Sequence, residues 1–155
     1  NMLVDAGIQE IQMGILNRLR GTAIAGELGN DIVFSSQPPY EVLYTPEFNP
    51  EEMQWLQRFA RYFDRYYNRK NFPESLKLLW ETAATPFAAF AGLSDWVWER
   101  EGQTHHLPLV QLAEHLYWYL AERKCHEPSL IAQTIESDFR RLRGRRDKLK
   151  TPDPV

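Results

Sequence analysis

The chain has 155 residues, 25% charged, 43% hydrophobic and 13% aromatic, with a net charge of −3 at pH 7. That length suits one domain, or one domain with a fragment of another, and is enough to bury a core. The charge gives no general attraction to nucleic acid or anionic membrane; the single cysteine, Cys125, excludes an internal disulfide and an all-cysteine metal site and suits a reducing, cytoplasmic setting; and no apolar run approaches the roughly 20 residues that cross a bilayer.

In chain order, the opening reads as mid-domain sequence, so a piece of a longer protein is expected. Residues 2–7 read as the end of a helix stopped by Gly7. Residues 8–16, IQEIQMGIL, alternate apolar and polar with one slip and predict a strand. Residues 17–22 form a turn around Gly21, residues 23–28 a short helix, and Gly29-Asn30 a breaker. Residues 32–35 predict a second short strand. Pro38 and Pro39 remove two donors and force irregular chain before an extended segment at residues 40–44.

The stretch on which the rest is expected to pack is residues 49–71. Asn49 caps it, Pro50 suits its first turn, and Glu51 and Glu52 complement the helix dipole. Met53, Leu56, Phe59, Ala60, Phe63, Tyr66 and Tyr67 recur at steps of three and four, which predicts one helix of about six turns with an aromatic face. Asn71 is the expected left-handed residue after it. Four further helices open at prolines: Pro73 (Leu76, Leu79, Trp80 and Ala83 inward), Pro86 (Phe87, Phe90, Ala91, Val97 and Trp98, weakened at Gly92), Pro108 (Leu109, Leu112, Ala113, Leu116, Tyr117 and Leu120) and Pro128 (Leu130, Ile131, Ile135, Phe139 and Leu142, ended by Gly144). The predicted fold is mainly α: a five-helix, bundle-like domain over residues 49–146, preceded by a short β and loop segment over residues 1–48 and followed by a frayed tail over residues 147–155.

Chemistry-bearing clusters are sparse. His105 and His106 share a loop, His126 neighbours Cys125, and His115 is expected on a flank or exposed; none has metal-ligand spacing, so the metal assignment is none. Arg140, Arg141, Arg143, Arg145, Arg146, Lys148 and Lys150 lack interleaved aromatics, are diluted by Glu136, Asp138 and Asp147, and read as a solvated helix end. Trp55, Tyr62, Trp96, Trp118 and Tyr119 lie off the apolar stripes and belong either to packing between helices or to a partner surface. No nucleophile with a base at readable spacing and no phosphate loop is present, so the assignment of catalytic residues is none.

EIQMGILNRLRGTAI (residues 10–24) and IVFSSQPPYEVL (residues 32–43), followed by the Arg-Tyr-Phe-Asp-Arg-Tyr-Tyr-Asn core of residues 61–68, carry a family resemblance. They resemble the end of the catalytic barrel, and the C-terminal domain of unknown function after it, in cobalamin-dependent radical S-adenosylmethionine proteins related to the anaerobic magnesium-protoporphyrin IX monomethyl ester oxidative cyclase. In that family the last barrel strand leads into a Pro-Gly-Thr turn; here the place reads Leu19-Arg20-Gly21-Thr22, with Arg20 where proline is commoner. The resemblance covers most of the chain and is more specific over residues 10–72 than after them.

The resemblance implies that residues 9–16 are the last barrel strand of a β/α barrel. It further implies that the helical domain is an accessory part that covers or positions the barrel and is not catalytic alone. The iron–sulfur cluster, S-adenosylmethionine and cobalamin are implied for the full-length parent and none of them for this chain, which has one cysteine where the family's Cys-x3-Cys-x2-Cys run needs three. Implied partners are the barrel and cobalamin domains of the same polypeptide, with a homodimer through the orphan N-terminal strand as a further expectation; no membrane partner is implied. Arg18, Arg20, Gly21, Thr22, Tyr40 and Glu41, nearest the barrel mouth, are the candidate substrate or cofactor contacts. The alternative is a free-standing helical module that binds a protein or nucleic acid.

Overall fold

The computed structural model describes residues 2–18, 31–123 and 125–142. Among them the protein is mainly helical, with six α-helices and a small antiparallel sheet near the N-terminus. Two compact units are present: Met13–Ala60, and the described residues of Asn1–Gln12 with Arg61–Val155.

In the first unit, β1 (Val33–Phe34) pairs antiparallel with β2 (Val42–Tyr44), with partners Val33–Tyr44 and Phe34–Val42 and an irregularity between them. Helix α2 (Pro50–Phe63) opens with a reciprocal cap. The Glu52 N–H donates to Asn49 Oδ1 at 3.0 Å, and the Asn49 N–H donates to Glu52 Oε2 at 2.9 Å, so two orphan donors are satisfied at once. Met53 and Phe59 are buried, whereas Leu56 is half-buried.

In the second unit, α1 (Met2–Asp5) ends at Gly7. The α2 helix does not run on to residue 71: a π turn (Asp64–Asn68) comes after Phe63, and Lys70, not Asn71, takes the left-handed conformation with φ 52°. A π turn inserts one residue, which rotates the downstream side chains by about 100° against a continuous α-helix. Tyr62, expected off the apolar stripe, is fully buried with Phe63 and Tyr66. Its hydroxyl donates to Gln103 O at 2.8 Å, and that of Tyr66 to Leu112 O at 3.0 Å. Both rings can therefore be buried without stranding a phenol.

The remaining helices are α3 (Pro73–Trp80), α4 (Pro86–Glu101), α5 (Leu109–Arg123) and α6 (Pro128–Arg141). Helix α3 touches α4, α5, α6 and the π turn; α5 touches α4 and α6. Thr85 caps α4 by accepting from the Ala88 N–H at 3.1 Å, and Gly102 ends it at φ 60°. Helix α3 has no cap of its own. Asp138 of α6, buried to 1% exposure, accepts from the N–H groups of Glu74 and Ser75 and from Ser75 Oγ at 2.8–3.2 Å. Asp138 is thus not one of the solvated charges among which its sequence position places it. Leu130, expected inside, is 45% exposed.

The strand expected at residues 8–16 does not form; that segment is irregular. Asn68 takes the place of a neighbouring strand at Ile11: the Ile11 N–H donates to Asn68 Oδ1 and Asn68 Nδ2 donates to Ile11 O, both at 3.0 Å. Residues 19–30 and 143–155, with the short helix expected at 23–28, the stop at Gly144 and most of the basic run, lie outside the described residues.

Replacing Asp138 with alanine leaves Ser75 and the first donors of α3 buried without an acceptor. It should lower stability by about 2–4 kcal/mol in urea unfolding, and Asp138→Asn, which keeps one acceptor oxygen, by less.

Burial raises the Tyr66 phenol far above the usual tyrosine value, with Tyr62 second, and burial raises that of Tyr67. The folded state therefore holds these protons more tightly than the unfolded chain. The stability this contributes is complete below about pH 10 and falls as pH rises past it. Tyr66→Phe should cost about 1 kcal/mol at neutral pH through the lost hydrogen bond, yet make the alkaline fall shallower in unfolding measured from pH 8 to 12.

Candidate functional site

Two places concentrate polar groups on ordered backbone, one in each unit. In the unit Met13–Ala60, the candidate contacts from sequence converge on β2. The Arg18 N–H donates to Tyr40 O at 2.9 Å and the Val42 N–H to Leu16 O at 2.9 Å, so residues 16–18 lie along residues 40–42 with Asn17 opposite Glu41. On the other side the Ser35 N–H donates to Glu41 O at 2.8 Å. The loop of residues 36–39 is exposed and closes through the Tyr40 N–H, which donates to Gln37 O at 2.9 Å. Tyr40 holds φ 61°, a left-handed conformation that costs a non-glycine residue of order 1 kcal/mol and persists only where neighbours enforce it. Here bonds on both sides of it do so.

Arg18, Tyr40 and Glu41 are thus brought together. The Arg18 guanidinium carbon lies 5.9 Å from the Phe34 ring centre, near the outer limit for a cation over a ring. Arg20, Gly21 and Thr22 lie outside the described residues.

The second place was not picked out from sequence. Between α4 and α5 lies an open hollow of about 410 Å³, lined by Trp96, Arg100 and Glu101 of α4 and by Gln111, Glu114, His115, Trp118 and Glu122 of α5. Against expectation, His115 is only 9% exposed. Its Nε2 lies 2.6 Å from Glu101 Oε1, which also accepts from Gln111 Nε2 at 2.6 Å. A carboxylate oxygen only accepts, so Nε2 is the donor in this contact. Trp96, expected off the stripe, is 8% exposed and meets His115 edge-on at 5.5 Å between ring centres. Its indole N–H donates to Glu122 Oε2 at 2.9 Å. Arg100 Nη2 donates to Glu122 Oε1 at 3.2 Å, with the guanidinium carbon 3.4 Å from the Trp96 ring centre. None of the lining residues is a serine, threonine or cysteine, so the His115–Glu101 pair has no lining nucleophile to activate. A sequence signal did exist: positions 111, 114, 115, 118 and 122 make a polar and aromatic stripe at helical spacing on a helix whose other faces are apolar.

The family described as "Protein of unknown function (DUF4080)" matches residues 30–151. The chain belongs to that family. The DUF4080 match takes in β1, β2, the loop between them and α2 to α6, and begins after Arg18. No curated protein and no solved structure matches the chain.

Gly92 sets how closely α4 and α5 approach beside the hollow. It does not interrupt α4, which runs unbroken through it, and a Cβ there would lie 2.4 Å from the hydroxyl of the buried Tyr119. Gly92→Ala should destabilise the protein by about 1–3 kcal/mol. With Tyr119→Phe, which removes the oxygen, the same change should instead stabilise by up to about 1 kcal/mol through helix propensity. A double-mutant cycle in thermal unfolding checks the change of sign.

Proposed function

We propose that this DUF4080 domain is the C-terminal accessory part of a cobalamin-dependent radical S-adenosylmethionine enzyme, related to the oxidative cyclases. It covers or positions the catalytic barrel and is not catalytic by itself. The observation that carries the reading is where apolar surface lies bare. Of the twelve large apolar side chains exposed among the described residues, five fall in the unit Met13–Ala60: Met13, Leu16, Val33, Leu43 and Phe48. A surface of that kind marks a contact face, and the resemblance to the end of a radical-enzyme barrel runs through this same part of the chain. The anchored loop at residues 36–41 adds support. Its residues 36–39 are exposed and its backbone is tied at Tyr40, which suits it to covering a neighbouring opening and excluding water from a reactive intermediate.

The iron–sulfur cluster does not fit this chain. It needs three thiolates, and Cys125, which is exposed, is the single cysteine. Among the described residues no group of three or more His, Cys, Asp or Glu side chains is placed to hold a metal ion. The cluster, S-adenosylmethionine and cobalamin therefore belong to the rest of the parent polypeptide in this reading. Arg18 and Tyr40, joined through their backbones, and Glu41 next to Tyr40 offer it a guanidinium, a phenol and a carboxylate.

The coding sequence upstream gives the first test: a Cys-x3-Cys-x2-Cys run is expected there, and its absence overturns the proposal. The second uses the full-length enzyme with Tyr40→Gly. Glycine accepts φ 61° without strain, so loop and fold are kept while the phenol is lost. Turnover should fall at least ten-fold (about 1.4 kcal/mol) with S-adenosylmethionine cleavage retained. Unchanged turnover and substrate affinity would remove Tyr40 from the site.

A further inference from the structure

Residues 10–16 carry a strand pattern that the fold leaves unused. Ile11, Met13 and Ile15 alternate with Glu10, Gln12 and Gly14, so an extended backbone would set the apolar side chains on one face and the polar ones on the other. Among the described residues, the backbone groups of Glu10, Gln12, Met13, Gly14 and Ile15 make no hydrogen bond. The two ends of the stretch show what its backbone accepts. At one end the Val42 N–H donates to Leu16 O and the Arg18 N–H to Tyr40 O, which is one rung of an antiparallel ladder. At the other end a side chain stands in for a strand: Asn68 accepts from the Ile11 N–H and donates to the Ile11 carbonyl, both at 3.0 Å. A carboxamide offers one acceptor and one donor side by side, as a residue of a neighbouring strand does. It serves a single residue, and while it does so Ile11 is closed to any other chain.

We propose that residues 10–16 are a pairing edge for a second copy of this chain, and that the Asn68 carboxamide is the gate on it. The stretch is self-complementary. Antiparallel pairing about a two-fold axis at Met13 sets Ile11 against Ile15, Gln12 against Gly14 and Glu10 against Leu16, with Met13 against its own counterpart. Branched side chains then face each other on the apolar side, which stabilises a ladder, and no charge meets a like charge. A foreign strand would have to match this pattern by coincidence, whereas a second copy matches it by symmetry. Leu16 and Arg18 spend their bonds on β2, so continuing the same alternation turns the N–H and carbonyl groups of Ile11, Met13 and Ile15 towards the second copy. Ile11 must therefore leave Asn68 before the ladder closes. Folded proteins blunt exposed pairing edges with a cover or a charge; here the Asn68 amide covers the one residue it reaches. The inference does not rest on the proposed enzyme context.

Sedimentation equilibrium on the chain and its variants measures the exchange between monomer and dimer. Asn68→Ala releases Ile11 and should tighten dimerisation about ten-fold or more relative to the unsubstituted chain, although it removes two bonds within the fold. Asn68→Asp keeps the acceptor for the Ile11 N–H and loses the donor for its carbonyl, so it should fall between the two. Met13→Glu, at an exposed position, sets like charges against each other at the axis and should return the Asn68→Ala chain to a monomer. The register is read from amide hydrogen exchange by NMR in the Asn68→Ala dimer: Ile11, Met13 and Ile15 should be protected, and Gln12 and Gly14 should not. Circular dichroism establishes whether Asn68→Ala folds; where it does not, Asn68→Asp takes its place in each measurement under the same criteria. A folded variant at Asn68 that dimerises no more tightly than the unsubstituted chain, a dimer that Met13→Glu leaves intact, or protection without this alternation would overturn the inference.

Discussion

The second unit depends on how a run of aromatic residues near residue 65 is buried. A dense aromatic face brings two difficulties: too much ring surface for one side of a helix, and hydroxyls that must not be stranded. The π turn after Phe63 answers the first by changing the direction in which the chain presents its rings. Phe63 then meets Phe90 edge-on at 5.1 Å and Tyr66 meets Phe90 at 6.0 Å, with Phe72 5.5 Å from Tyr66. The second is answered by backbone carbonyls. Tyr62 reaches Gln103, Tyr66 reaches Leu112, Tyr67 reaches Ile8, and the Arg65 guanidinium spans Thr104 and Leu107. The aromatic segment is therefore also the polar tie for the loop between α4 and α5, where carbonyls would otherwise lack donors.

The helical half of this fold was legible because its punctuation is local. Helices α3, α4 and α6 begin at Pro73, Pro86 and Pro128, and α5 begins one residue after Pro108. The Asn49 cap acts within a turn of itself, so sequence position decides it. The errors have the opposite character. Nothing beside Asp138 in sequence reveals that it serves α3, and His115 is buried because α4 brings Glu101 to it. The alternation at residues 8–16 resembles a strand, but a strand requires a partner, and at Ile11 the amide of Asn68 supplies those bonds.

The placement of the residues named as candidate contacts was legible in part. Composition marks Pro38 and Pro39 as a loop, but the pairing that sets Arg18 beside Tyr40 depends on a chain reversal encoded in neither segment alone. The α4–α5 hollow was not legible, because Trp96 and Trp118 come from different helices. Trp96 and Trp118 gain meaning from the carboxylates placed around them by two helices. Polar residues at helical spacing carry as much positional information as apolar ones, provided they are read as a face.

The buried carboxylate of Asp138 also bears on the order in which the molecule can assemble. Helix α3 has eight residues, too few to persist alone in water. The acceptor for its first donors lies 63 and 64 residues later in the chain. A ribosome must therefore finish most of α6 before α3 acquires the group that holds its leading end, although α4 and α5 have emerged by then. Until that moment the nascent chain carries a helix without a beginning, and closure of this unit waits on α6.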